Sequence, residues 1–220
     1  MTYQNKRYKG INLQHADLTD VHWEYLNLSQ ADLSQANLDG ANFRENKLPE
    51  AYLHNVSFRN AQVFLTDFSL ANLCDANLSG SDLYASSFQR ADLTKANLSS
   101  SKLDAANLSW ADLSDANLHE ASLIEAILEG TQLQSCDLEQ SQLMWANLQD
   151  ANLEQANLQR ASLQNANLKG ANFAQAQLLN TDLSKTNLRE VMSLEGAIYN
   201  SKTKLPIGFI PSKWKMIFIT

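Results

Sequence analysis

Every fifth residue from Leu13 to Leu188 is large and apolar. The run holds 36 positions, of which 29 are Leu and the others are Trp23, Phe43, Phe58, Val63, Phe68, Phe88 and Phe173. Two residues before each stands a small one, Ala at 22 of the 36 and mostly Ser, Thr or Val elsewhere, and between the two is usually Asn or Asp. A five-residue period does not suit an α-helix, because steps of about 100° scatter the leucines around the axis. Nor does it suit a continuous strand, where an odd repeat throws successive leucines to opposite faces. The conflict disappears when the chain turns a corner every five residues. Ala and Leu then point inward from a short extended segment, and repeated corners wind a solenoid around a column of leucines. Asn and Asp suit such corners, since their side chains bond nearby backbone groups.

The stretch Ala146–Phe173, ANLQDANLEQANLQRASLQNANLKGANF, carries the pattern with few departures. This A-(N/D)-L-x-x repeat resembles the pentapeptide-repeat family, and the resemblance covers residues 11–190. It implies an all-β fold, a right-handed quadrilateral parallel β-helix with four pentapeptides per coil. The repeats then make about nine 20-residue coils, a rod roughly 40 Å long at a strand spacing of about 4.8 Å. Residues 1–10 are expected to cap the N-terminal end and 191–220 the C-terminal end, because a solenoid needs its open ends covered. In that tail Leu205, Ile207, Phe209, Ile210, Trp214, Ile217 and Phe218 are the expected capping residues, with an end-to-end homodimer as the competing use. The tail also resembles C-terminal segments of cyanobacterial members of the family. Within the repeat, Asn46-Lys47-Leu48-Pro49 is the poorest match, and a local bulge is expected there in preference to a buried polar site.

Function belongs to the outward positions, since packing dictates the inward ones. Sorting residues by their place in a 20-residue coil gives four faces, two of them almost wholly polar. The third, centred on Phe43, Val63 and Leu83, carries Phe64, Leu65, Tyr84, Ile124, Met144 and Trp145 in two adjoining columns. Leu70, Trp110 and Ile127 are expected near the same corner. In-register coils would align these residues as an apolar stripe, the mark of an interaction surface. The expected partner is an unidentified protein or, through the stripe or the tail, a second copy of the chain.

Charge qualifies this picture. Residues 11–190 hold 23 acidic and 10 basic side chains, a net of −13, while the two ends are net +6 and bring the whole chain to −7. Some pentapeptide-repeat proteins that protect gyrase are thought to imitate duplex DNA, and the resemblance makes a topoisomerase-directed DNA mimic the alternative role. Duplex DNA carries a charge about every 1.7 Å, so a rod of ~40 Å would need roughly 24. The acidic excess falls well short of that. No basic groove suggests binding to nucleic acid itself.

Nothing in the sequence suggests chemistry. His54 and Cys74 share an outward column one coil apart, but a structural zinc takes four ligands and no third group orients the histidine. No catalytic residue, cofactor or metal is expected, and a rod lacks the concave pocket of an enzyme. Cys136 falls at an inward position, where a thiol behaves as a small hydrophobe. Two cysteines make no disulfide framework, and no secretory signal or membrane-length apolar run is visible. The expectation is a cytoplasmic, non-enzymatic scaffold or protein-interaction module.

Overall fold

Successive coils pair in parallel at a spacing of 20 residues, from Asn12 with Asp32 through to Ser162 with Asp182. The computed structural model describes residues 8–220. A residue with positive φ closes each five-residue segment, from His15 (58°) to Lys185 (62°), with Gly at 10, 40, 80, 130 and 170 in the same role. A corner every five residues and a 20-residue register make each coil four-sided. The right-handed parallel β-helix implied by the repeat is the fold observed.

The five-residue unit accounts for its own backbone. In the segment 71–75 the first N–H closes the preceding turn (Ala71 N to Phe68 O, 3.0 Å), and the second reaches back one coil (Asn72 N to Ala51 O, 2.9 Å). The third and fifth reach forward, Leu73 N to Asp92 O at 2.7 Å and Asp75 N to Thr94 O at 3.0 Å. The fourth N–H has no backbone partner and is taken by the side chain two residues earlier, Cys74 N to Asn72 Oδ1 at 3.0 Å. The same bond recurs at Ser34, Ser79, Thr94, Ser114 and Ala174. So the Asn or Asp of the repeat lies on the extended segment, and it caps the corner from there. Unmet N–H groups are costly near a packed core, which explains the preference.

From Leu28 onward the inward residues are almost completely buried. Phenylalanines gather toward the N-terminal half, with Phe68 and Phe88 stacked at 5.0 Å and 9°. The first coil is different: Ile11, Leu13, Leu18, Trp23 and Leu26 are only partly buried. Of the N-terminal cap expected at 1–10, residues 1–7 lie outside the described residues. Tyr8 and Gly10 continue the ladder, bonding Asn27 O and Ser29 O at 2.8 and 2.9 Å.

The expected bulge at 46–49 is not found. Asn27, Lys47 and Asp67 pair in register, and Asn46 points inward with 1% exposure. Its carboxamide donates to Trp23 O and Phe43 O at 2.8 Å each and accepts from Leu26 N at 2.8 Å. A buried amide whose bonds are met needs no distortion to expel it.

After Asp182 the register slips, so that Asn172 pairs with Ser193, Gln177 with Ile198 and Asp182 with Lys204. A 3-10 turn at Leu188–Glu190 takes up one extra residue, and a second enters between Ile198 and Lys204. Val191, Leu194, Ala197, Phe209 and Met216 bury against the last coil, with Leu205 and Trp214 partly buried. Two short strands, β1 (Ile198–Tyr199) and β2 (Ile217–Phe218), pair in parallel at the end. Ile207 is fully exposed, and Ile210, Ile217 and Phe218 are about half exposed. Those four do not bury as capping residues would, because the tail keeps Phe209 and Met216 beneath them. No helix among the described residues is long and apolar enough to cross a membrane.

Candidate protein-interaction surface

Backbone bonds string the candidate residues along one corner of the rod. Leu65 N donates to Tyr84 O (2.9 Å), Ala85 N to Asp104 O (3.0 Å), Ala105 N to Ile124 O (2.9 Å) and Glu125 N to Met144 O (3.0 Å). Leu65 and Trp145 occupy the left-handed corner position at φ 56° and 57°, which throws their side chains outward. Leu65, Tyr84 and Trp145 are 50–56% exposed, whereas Phe64, Ile124 and Met144 are half-buried. The six therefore share one edge but form two groups. Phe64, Leu65 and Tyr84 occupy neighbouring coils, as do Ile124, Met144 and Trp145. Asp104 and Ala105 separate them, and Asp104 is engaged by Ser122 Oγ (2.5 Å) and Ile124 N (3.0 Å).

Leu70 and Trp110 are not at that corner. They close the segments 66–70 and 106–110 at φ 61°, so they stand at the next corner of the coil. Ile127 lies between the two corners, on the strand that pairs Asn107, Ile127 and Asn147. The apolar surface is thus a flat side of the rod framed by two edges. Its midline, Asp67, Ser87, Asn107, Ile127 and Asn147, carries one charge, at Asp67 between Leu65 and Leu70. Column spacing finds the individual residues, but which corner each occupies depends on which of the five positions makes the turn.

Trp110 is 56% exposed and lies directly over Gly130, where an added Cβ would sit 2.5 Å from its ring carbons. Glycine at this corner gives the indole a seat. Between Leu70 and Trp110 a shallow cleft of about 490 Å³ opens, floored by Arg90 and edged by Ser109 and Glu129. Trp110 thus belongs with the candidate residues, and Gly130, one coil later in its column, is the sequence signal for it.

The remaining candidate groups are occupied elsewhere. His54 Nδ1 is 2.9 Å from Ser34 Oγ, and Cys74 Sγ donates to Asp75 Oδ2 at 3.2 Å, so the two do not bond each other. Cys136 is fully buried, and that burial, with Asp137 and Asp115 nearby, pushes its thiol well above the ordinary range. On the acidic side Asp39 is held below the usual carboxylate range: burial pushes it up, but the Arg59 guanidinium and Ser57 hydroxyl outweigh this.

Fold and surface together define a class, a parallel β-helical repeat protein that displays outward columns from a stacked core. Pentapeptide repeats match in eight copies over residues 11–45, 27–62, 66–104, 101–140, 141–176 and 166–197. The chain belongs to the pentapeptide-repeat family. No curated protein matches it. Among solved structures it is similar to HetL, a pentapeptide repeat protein involved in heterocyst differentiation regulation in the cyanobacterium Nostoc sp. strain PCC 7120. Identity is 28%, over 88% of this chain and 89% of HetL, with a TM-score of 0.61. A pentapeptide repeat protein of the Arabidopsis thaliana thylakoid lumen is 26% identical over 49% of this chain and 61% of its own, with a TM-score of 0.36. QnrB1, a plasmid-mediated fluoroquinolone resistance protein, is 20% identical over 82% and 92%, with a TM-score of 0.41.

Proposed function

We propose that the chain is a non-enzymatic interaction module whose partner, a protein, docks on the flat side framed by Leu65, Tyr84 and Trp145 on one edge and Leu70 and Trp110 on the other. The observation that carries this reading is the exposure of five large apolar side chains around a midline whose one charge is Asp67. Each is held by a backbone bonded on both sides, so docking orders little that is not already ordered. Likeness to HetL, a protein involved in regulation of differentiation, favours a binding role over catalysis. Two free cysteines suit the reducing cytoplasm. A gyrase-directed DNA mimic draws less support, because Asp39, Asp182 and Glu139 are paired with Arg59, Lys204 and Arg160.

The test compares wild type with a Tyr84→Glu/Trp145→Glu variant in affinity capture from the native host and in sedimentation. The captured protein, once purified, should bind the variant at least ~30-fold more weakly, the loss expected for an aromatic anchor worth about 2 kcal/mol. Circular dichroism should not change. Equal affinity for both forms would remove this side from the function. Self-association lost in the variant would make the partner a second copy, and self-association retained would point to the exposed tail.

A further inference from the structure

The side of the rod opposite the docking face carries a group that neither the repeat nor the proposed interaction requires. His119 is the fourth residue of the segment 116–120, which Glu120 closes, and Asp137 and Glu139 lie one coil later on the same side, where Asn117 pairs with Asp137. Ligand atoms of the three side chains all lie within 4.8 Å of one another, and the three residues are half-buried. Among the described residues no other three His, Cys, Asp or Glu side chains gather in this way.

Two contacts bear on how these side chains are held, the first being in part the capping bond of the repeat. Asp137 Oδ1 already accepts from Glu139 N and Asn157 Nδ2, both at 3.0 Å, which fixes the carboxylate and leaves Oδ2 for a further bond. Glu120 Oε1 lies 3.7 Å from His119 Nε2, a charge contact too long for a hydrogen bond, so it does not hold that nitrogen away from an ion. The backbone beneath is rigid, with Leu118 N on Asp137 O at 2.7 Å and Glu120 N on Glu139 O at 2.9 Å. A zinc ion would draw these ligand atoms to roughly 2.0–2.2 Å from itself.

We propose that His119, Asp137 and Glu139 form a site for a divalent transition-metal ion, with one imidazole and two carboxylate ligands and the remaining positions open to solvent or a partner's side chain. The imidazole selects Zn²⁺, Co²⁺ or Ni²⁺ over Mg²⁺ and Ca²⁺, which take oxygen. One cation competes: Arg160 Nη1 stands 3.4 Å from Glu139 Oε1. It is 62% exposed, so it swings away without burying a charge.

The experiment titrates tag-free, chelator-treated full-length protein with Zn²⁺ by calorimetry and with Co²⁺ by visible absorption. One saturable site per chain is expected. His119→Ala and Asp137→Asn should each weaken it on the order of 10–100-fold with unchanged circular dichroism. Arg160→Gln should tighten it, a gain that a merely structural role for these residues does not produce. Cys74→Ser should bind as wild type. Absence of a saturable site, wild-type binding by His119→Ala, or loss of binding in Cys74→Ser would each overturn the assignment.

Discussion

Replacing Asn46 by Ala restores the commonest residue at an inward position of the repeat, so the repeat pattern predicts a neutral or stabilising change. The structure predicts the opposite. At most corners the first N–H of a segment bonds back to the large residue of the previous one, as Ala51 N does to Leu48 O at 3.1 Å. At 23–26 that bond is replaced by the Asn46 carboxamide, which accepts from Leu26 N and donates to Trp23 O, both at 2.8 Å. Leu26 fills the slot that Ala takes elsewhere, and its bulk keeps the corner from tightening once the amide is gone. Asn46→Ala therefore strands one N–H and one C=O, while Phe43 O keeps Thr66 Oγ1 at 3.1 Å. Unsatisfied buried groups cost about 1–3 kcal/mol each; because the first coil is partly exposed, about 2–4 kcal/mol in total is expected. At a chain of this length that lowers Tm by roughly 4–16 °C. Ser101→Ala is the control. Ser101 is equally buried, but Leu98 O keeps its bond from Ser101 N at 3.2 Å, so the change should stay below about 1 kcal/mol. Urea and thermal unfolding followed by circular dichroism read both. An Asn46→Ala protein as stable as wild type would refute the reasoning.

Gly130→Ala places a Cβ 2.5 Å from the Trp110 ring and should displace the indole. Stability should fall by only ~1–2 kcal/mol, because L-residues occupy this left-handed position at most corners. The indole N–H resonance of Trp110, assigned with Trp110→Phe, should shift; an unmoved resonance would mean the seat is not formed. Asp182 anchors the tail through Lys204 Nζ at 2.9 Å. Burial pushes its carboxyl up, but the bonds from Ser184, Gln164 and Lys204 outweigh this and leave it well below the ordinary range. A depressed carboxylate stabilises the fold fully above its unfolded value, ~3.9, and stops doing so as pH falls through the folded value. Asp182→Asn should therefore destabilise by about 2 kcal/mol at neutral pH, and its gap from wild type should shrink as pH drops below ~4. A gap that does not vary with pH would argue against the ion pair.

Most of the fold was legible because it is a periodic solution to a periodic pattern. A five-residue period excludes both helix and strand, and 36 repetitions leave no freedom of register. The four-sided coil was less accessible: it depends on how strongly each corner turns, which residue types alone do not state. Leu70 and Trp110 went to the wrong edge for another reason: the repeat does not say that its fifth position is itself the corner. The tail was harder still, since without a repeat nothing in its composition separates Phe209, which is buried, from Ile207, which is not. His119 was invisible as a partner of Asp137 and Glu139 until the coil spacing placed positions 18 and 20 residues apart side by side.

The irregular inward residues and the apolar surface are connected. Ser86 repeats, two coils on, what Asn46 does: its hydroxyl accepts from Thr66 N at 3.1 Å and donates to Val63 O at 2.9 Å, standing in for the turn bond at 63–66. The corner at 63–66 is therefore bridged by a side chain of the next coil and not closed by its own backbone. The residues on the outside of the corner at 63–66 are Phe64 and Leu65, with Tyr84 one coil further on. The polar column of Asn46, Thr66 and Ser86 thus lies behind the first group of candidate interaction residues, although the corner at 83–86 keeps its own bond, Ser86 N to Leu83 O at 3.1 Å. Farther along the same column Ala106, Ala126 and Ala146 restore the tight turn, each bonding back to its own Leu at 3.0–3.2 Å. The group at Ile124, Met144 and Trp145 therefore sits on corners closed by backbone alone. A partner that contacts both groups meets two kinds of corner along one side, and matching both together with the apolar side chains is what would discriminate among partners.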